Sequence, residues 1–133
     1  MRIRRLIDPS RAVLAGRPLD LYAQPGQTIV PGTVTSLLLD LAVIVEPGQT
    51  LLVIGTPALF GAGISADPTL RTSGDPVAAL TITVHTVGPT IVPEGVPVAR
   101  GLVLDAPAES YYEDASIDVR MARPGLDFSD PGR

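Results

Sequence analysis

The 133-residue chain has no cysteine, no tryptophan and one histidine. Without cysteine there can be no disulfide framework, thiolate zinc site, iron–sulfur cluster or cysteine nucleophile. With His85 alone, a multi-histidine metal centre is impossible and a Ser-His-Asp triad has one candidate base. Lysine and asparagine are absent too, and all ten basic residues are arginine, which fits GC-rich coding. A Walker-type phosphate loop, which needs lysine, is excluded. Three tyrosines and two phenylalanines leave little for stacking on bases. The longest apolar stretches, Leu37–Leu39 and Leu41–Val45, are interrupted by Asp40. They fall far short of the ~20 residues that span a bilayer. The basic start MRIRRLIDPSR leads into no apolar segment of the ~7–15 residues that a signal peptide needs. The expectation is a soluble protein, made inside a cell, that binds neither membrane nor nucleic acid.

What is present points to one β-rich domain. Hydrophobic residues make up 45% and charged residues 18%, enough for a core and too apolar for a disordered chain. Thirteen glycines and fourteen prolines argue for many short strands joined by turns and against a helical bundle. The net charge of −4 is uneven. Arg2, Arg4, Arg5, Arg11 and Arg17 make a basic head, and an acidic body and tail follow. These shifts suggest a basic N-terminal arm over residues 1–18, a β domain over 19–105 and an acidic C-terminal arm over 106–133. An acidic body repels phosphate, which is why nucleic acid is not an expected partner.

Within the body, Ala79–Gly88 is the clearest strand, with Leu80, Ile82 and Val84 alternating with Thr81, Thr83 and His85. Gln49–Gly55 and Val98–Asp105 read as further strands, and Thr28–Gly32 and Thr90–Val92 as short ones. Thr33–Gly48 is too long for one straight strand and predicts a bend near Ser36 or Asp40. Pro25-Gly26, Pro31-Gly32 and Pro47-Gly48 carry the chemistry of turns whose second corner needs a positive φ. Thr56–Pro76 reads as one long loop, the kind of segment that often carries function. Arg11–Leu21 could hold a short helical turn, and Ser116–Met121 one more strand.

The run LDLYA (Leu19–Ala23) resembles the first motif of the dUTPases and dCTP deaminases, where an aspartate sits in a D-L-x-A setting. IVPG follows, as in that family. LAVIVEPGQTLLVIGTPAL (Leu41–Leu59) is similar to the strand, Pro-Gly hairpin and strand that lead to its second motif. VPEGVPVARGLVLD (Val92–Asp105) resembles its fourth. The resemblance covers about residues 19–105. It implies an all-β, distorted-barrel or jelly-roll-like (dUTPase-like) domain, with extended N- and C-terminal arms, that builds homotrimers.

The departures from the family pattern fall on the residues that do its chemistry. Where the family carries Arg-Ser-Gly to hold triphosphate oxygens, this chain reads Gly55-Thr56-Pro57-Ala58. In the third-motif region, GISADPTLRTSGD, Asp67 matches the water-activating aspartate, but Leu70 stands near the place of the tyrosine. The deaminase glutamate has no counterpart in Thr56–Pro76, and the glycine-rich arm that closes over phosphates is not evident in YYEDASIDVRMARPG. A triphosphate must be met by cations, Mg²⁺ or backbone N–H groups. Between residues 18 and 104 only Arg71 and Arg100 stand against six acids.

These readings favour a non-enzymatic member that needs no cofactor: a trimeric decoration or cement protein of a phage head, bound to the major capsid protein on the virion exterior. Its interface candidates are Arg2, Arg4, Arg5 and Arg11 in the head and Tyr111 and Tyr112 in the tail. The alternative is a cytoplasmic dUTP pyrophosphatase using Asp20 or Asp67 with Mg²⁺, or a nucleotide-binding regulatory relative. Asp40 is expected at the surface or a subunit interface, and His85 at the surface.

Overall fold

A computed structural model describes residues 1–7, 18–104, 112–114 and 117. Among the described residues, nine strands and one short helix follow in chain order: β1 (Arg2–Arg5), β2 (Leu19–Leu21), β3 (Thr35–Ile44), β4 (Thr50–Gly55), α1 (Pro57–Gly61), β5 (Ser65–Asp67), β6 (Thr69–Thr72), β7 (Ala79–His85), β8 (Ala99–Leu104) and β9 (Tyr112–Glu113). They form two sheets, ordered β5-β7-β3-β1-β9 and β2-β8-β4-β6. All pairs are antiparallel except β1–β9, which is parallel. The architecture is a jelly-roll-like sandwich of two open sheets, not a closed barrel. Each sheet keeps its edges because no strand pair joins β5 or β9 to the second sheet.

The core lies between the sheets. Leu37, Leu39, Leu41 and Val43 of β3 face Leu80, Ile82 and Val84 of β7, Leu51 and Val53 of β4, Leu19 and Leu21 of β2, and Ile3 of β1 in one buried cluster. The alternation read in Ala79–Gly88 is present: the three apolar residues are buried, the threonines half-buried and His85 exposed. Burying a full aliphatic side chain is worth about 1.5–3 kcal/mol, so this cluster dominates the stability.

The expected bend in the long strand is a register shift between Leu38 and Ala42 in the β3–β7 ladder. It falls at Asp40, where one strand carries residues that its partner does not match. The Pro-Gly turns are as expected: Gly32 and Gly48 take φ of +78° and +84°, a region only glycine enters without strain.

Three expectations need correction. Residues 2–5 of the basic head are a strand inside the larger sheet and not an arm. Ile3 points into the core between outward-facing Arg2 and Arg4, and β1 is held on both sides, by β3 and β9. Thr56–Pro76 is not one loop, since it contains α1, β5 and β6. Thr28–Gly32 and Thr90–Val92 are loops. The Gln27 side chain takes the place of a strand partner there, its Nε2 donating to the Leu38 carbonyl at 2.8 Å and its Oε1 accepting from the Leu38 N–H at 2.7 Å.

Candidate functional site

Asp40, between Leu39 and Leu41, is fully buried and is the fixed point of the middle of the molecule. Its Oδ2 accepts from Arg5 Nη1 at 3.0 Å and its Oδ1 from the Tyr22 N–H at 3.0 Å. Its carbonyl accepts from the Leu6 N–H at 2.7 Å. One carboxylate thus ties β1 to β3 and receives the chain as it leaves β2. The surface or interface position expected for Asp40 is overturned. The bulge turns its side chain inward, where a cation and a backbone donor replace water.

Asp20 points outward from β2, between buried Leu19 and Leu21. Its cross-strand neighbour is Arg100 on β8. Arg100 Nε lies 3.3 Å from Asp20 Oδ1, with the two side chains 53% and 51% exposed. Asp67 lies exposed on β5, opposite Thr83. The two aspartates therefore sit on edge strands of different sheets, and the fold does not bring them into one site within this chain. Asp20 is engaged by an arginine, and among the described residues no three His, Asp or Glu side chains converge.

The segment Gly55–Ala58 has a structural job. Thr56 is buried where α1 begins. Its Oγ1 donates to the Pro97 carbonyl at 2.7 Å and its N–H to the Val98 carbonyl at 3.0 Å. It staples the end of β4 to the approach to β8 and presents no cation. The described arginines have protein partners throughout. Arg2 meets Asp114, Arg4 donates to the Ile117 carbonyl, Arg5 meets Asp40, Arg71 meets Asp75 and the Pro76 carbonyl, and Arg100 meets Asp20. Leu70, near the place of the family's tyrosine, is 59% exposed on the edge strand β6. Arg11 and Tyr111 lie outside the described residues, as do residues 118–133. Tyr112 is placed by its backbone in β9, opposite Arg2.

An open cleft of about 380 Å³ is lined by Gln27, Thr28, Thr90, Ile91, Val92 and Glu94. Its one charged residue is acidic, and Glu94 Oε2 accepts from the Gly26 N–H at 3.2 Å. None of its lining residues offers a cation to a polyphosphate.

No family model and no curated protein matches the chain. Solved structures do. A dUTPase mutant from phage phi11 of S. aureus aligns with a TM-score of 0.61 at 12% identity, over 78% of this chain and 89% of that one. The fold is that of the dUTPases. A dUTPase-like chain of this kind is also similar to a mutant of the Staphylococcus bacteriophage 80alpha dUTPase, with a TM-score of 0.61 at 10% identity over 87% of this chain and 96% of that one. Another mutant of that enzyme, with dUpNHpp, gives 0.60 at 11% over 96% of both chains. At such identity the likeness carries the fold and no activity. The sequence signals that reached it were the turns and apolar rhythm of residues 19–105. The inward turn of Asp40 was missed, although a lone acid inside LLLDLAVIV was its trace.

Proposed function

We propose that this dUTPase-like chain is a non-enzymatic structural protein, a homotrimeric decoration protein that binds the major capsid protein on the outside of a phage head. The observation that carries the non-enzymatic part is electrostatic. The stretch Gly55-Thr56-Pro57-Ala58, which matches the family's phosphate-binding motif in position, has no arginine, and its Thr56 is a backbone staple. The described arginines are committed to protein carboxylates and carbonyls, and the open cleft carries Glu94 in place of a cation. Catalysis of phosphoryl or pyrophosphoryl transfer rests on stabilising charge on phosphate oxygens. Among the described residues the cations serve the protein's own fold, which argues against such catalysis there. A compact sandwich that keeps the family's shape suits a scaffold role, and the step from that shape to a capsid partner is fold-level analogy.

The fold likeness to phage dUTPases favours a second reading, a nucleotide hydrolase or nucleotide-binding regulator using Asp20 or Asp67. Two measurements separate the readings. The purified chain should release no pyrophosphate from dUTP with Mg²⁺ present, and should co-sediment with phage capsids. Turnover that disappears in Asp67→Ala would establish the enzymatic reading. Calorimetric binding of dUTP without turnover would establish the regulatory one.

A further inference from the structure

The first strand is held unequally on its two sides. Against β3 it is paired at four positions, Arg2 to Arg5. Against β9 it is paired at two, Arg2 with Tyr112 and Ile3 with Glu113. Beyond those two pairs, β1 holds the segment by single contacts. Arg2 Nη1 lies 3.2 Å from Asp114 Oδ2, and the Asp114 N–H donates to the Ile3 carbonyl at 2.6 Å. Arg4 donates to the Ile117 carbonyl. Ile117 is buried, and its N–H donates back to the Asp114 carbonyl at 3.4 Å.

Three features of the segment are recognised: its backbone, a carboxylate, and an aliphatic side chain three residues after the carboxylate. Main-chain pairing gives affinity for any extended segment, and side-chain contacts choose among them. Here the choice is for acid. The strand carries Arg2, Arg4 and Arg5 and no carboxylate. Arg5 is paired with Asp40 inside the fold, which leaves Arg2 and Arg4 to face the segment. The segment's own hold is light. The Arg2–Asp114 side chains are 38% and 21% exposed, so their pair adds little and fades with salt. Segments with few buried contacts open locally at a fraction of the free energy of global unfolding.

We propose that the outer side of β1 is a docking groove for an acidic segment of another protein, one that brings an aspartate and an isoleucine in an Asp-x-x-Ile spacing, and that residues 112–117 are the occupant that masks it. Asp114 pairs with Arg2, Ile117 fills the apolar site, and a foreign segment with the same two groups meets the same partners. Because the masking segment belongs to the same chain, its effective concentration is high and a partner must outcompete it. The groove is therefore an autoinhibited interaction site. The inference stands apart from the decoration reading and from the nucleotide alternative, since it needs neither a capsid nor a nucleotide.

The test uses the full chain and a fluorescein-labelled peptide Tyr-Glu-Asp-Ala-Ser-Ile, the sequence of residues 112–117. In fluorescence anisotropy the peptide should bind the unmasked variant Asp114→Ala/Ile117→Ala at least about tenfold more tightly than the native chain. An unrelated hexapeptide that keeps only the aspartate and the isoleucine should bind that variant comparably. Exchanging its aspartate for lysine should abolish binding, and adding Arg2→Glu to the variant should restore it, a reversal that lost folding cannot produce. A second measurement needs no variant. In the native chain the Asp114 amide should exchange its hydrogen on the order of a hundredfold faster than the amides of β3. An Asp114 amide protected as strongly as β3 overturns the inference. So does an unmasked chain that binds no peptide, or that binds the aspartate and lysine peptides alike. An unmasked chain that takes up the tail of a native copy but refuses both free peptides makes the groove a device for self-assembly, and the inference fails.

Discussion

The two ends of the sandwich differ in how they treat charge. At the end formed by the β3–β4 turn and the β6–β7 turn lie Glu46, Arg71 and Asp75, with Arg2 on the adjoining strand. Arg71 is paired to Asp75 and Arg2 to Asp114. At the other end, two loops, residues 26–34 and 86–93, carry four exposed aliphatic residues and no charge. The middle belongs to neither pattern, because Asp40 and Arg5 are paired inside the protein. The difference teaches where charge is structural and where its absence is useful. Ion pairs hold strands in register at one end and in the middle. At the other end, residues 26–34 and 86–93 carry no charge of their own, and their apolar side chains stay in water.

The contrast can be broken most forcefully in the middle. Asp40→Ala leaves Arg5 buried with its carboxylate gone, and should cost about 3–5 kcal/mol in urea unfolding. Replacing both partners, in Arg5→Met/Asp40→Leu, should recover most of that loss, because a buried pair is often no more stable than apolar residues of similar volume. A double variant as unstable as Asp40→Ala would mean that the Tyr22 hydrogen bond matters more than the ion pair. The exposed pair Asp20–Arg100 gives a smaller effect. A double-mutant cycle to alanine should return a coupling of about 0.2–1 kcal/mol that fades as salt is raised. The uncharged loops give the smallest. Val87→Thr should change unfolding stability by less than about 0.5 kcal/mol when measured at concentrations where the chain is monomeric. A larger loss there would place Val87 in the fold instead of on a surface.

Much of the fold can be read from local pattern. Ala79–His85 follows period two without interruption, and the Pro-Gly pairs mark turns that need a positive φ at glycine. The bend at Asp40 follows from strand length. Other parts depend on distant partners. Ile3 between two arginines is a three-residue signal, and only pairing with Ile44–Leu41 and with residues 112–113 makes it a strand. Strands β5 and β6 are three and four residues long, too short for a period to show among Gly, Pro, Ser and Thr. The expected strand at Thr28–Gly32 failed because the Gln27 side chain, and not the backbone, supplies the hydrogen bonds. For the site, the absence of an arginine from Gly55-Thr56-Pro57-Ala58 is legible in the sequence, while the hydrogen bond that buries Thr56 spans 41 residues.

The pairing of β1 with β9 has a consequence for how the molecule is made. The Asp114 N–H donates to the Ile3 carbonyl at 2.6 Å, joining β1 to a segment synthesised much later. The larger sheet therefore stays unfinished until residue 114 has left the ribosome, and such sequence-distant closures are slow. During that interval β1 offers an open edge to any neighbouring nascent chain.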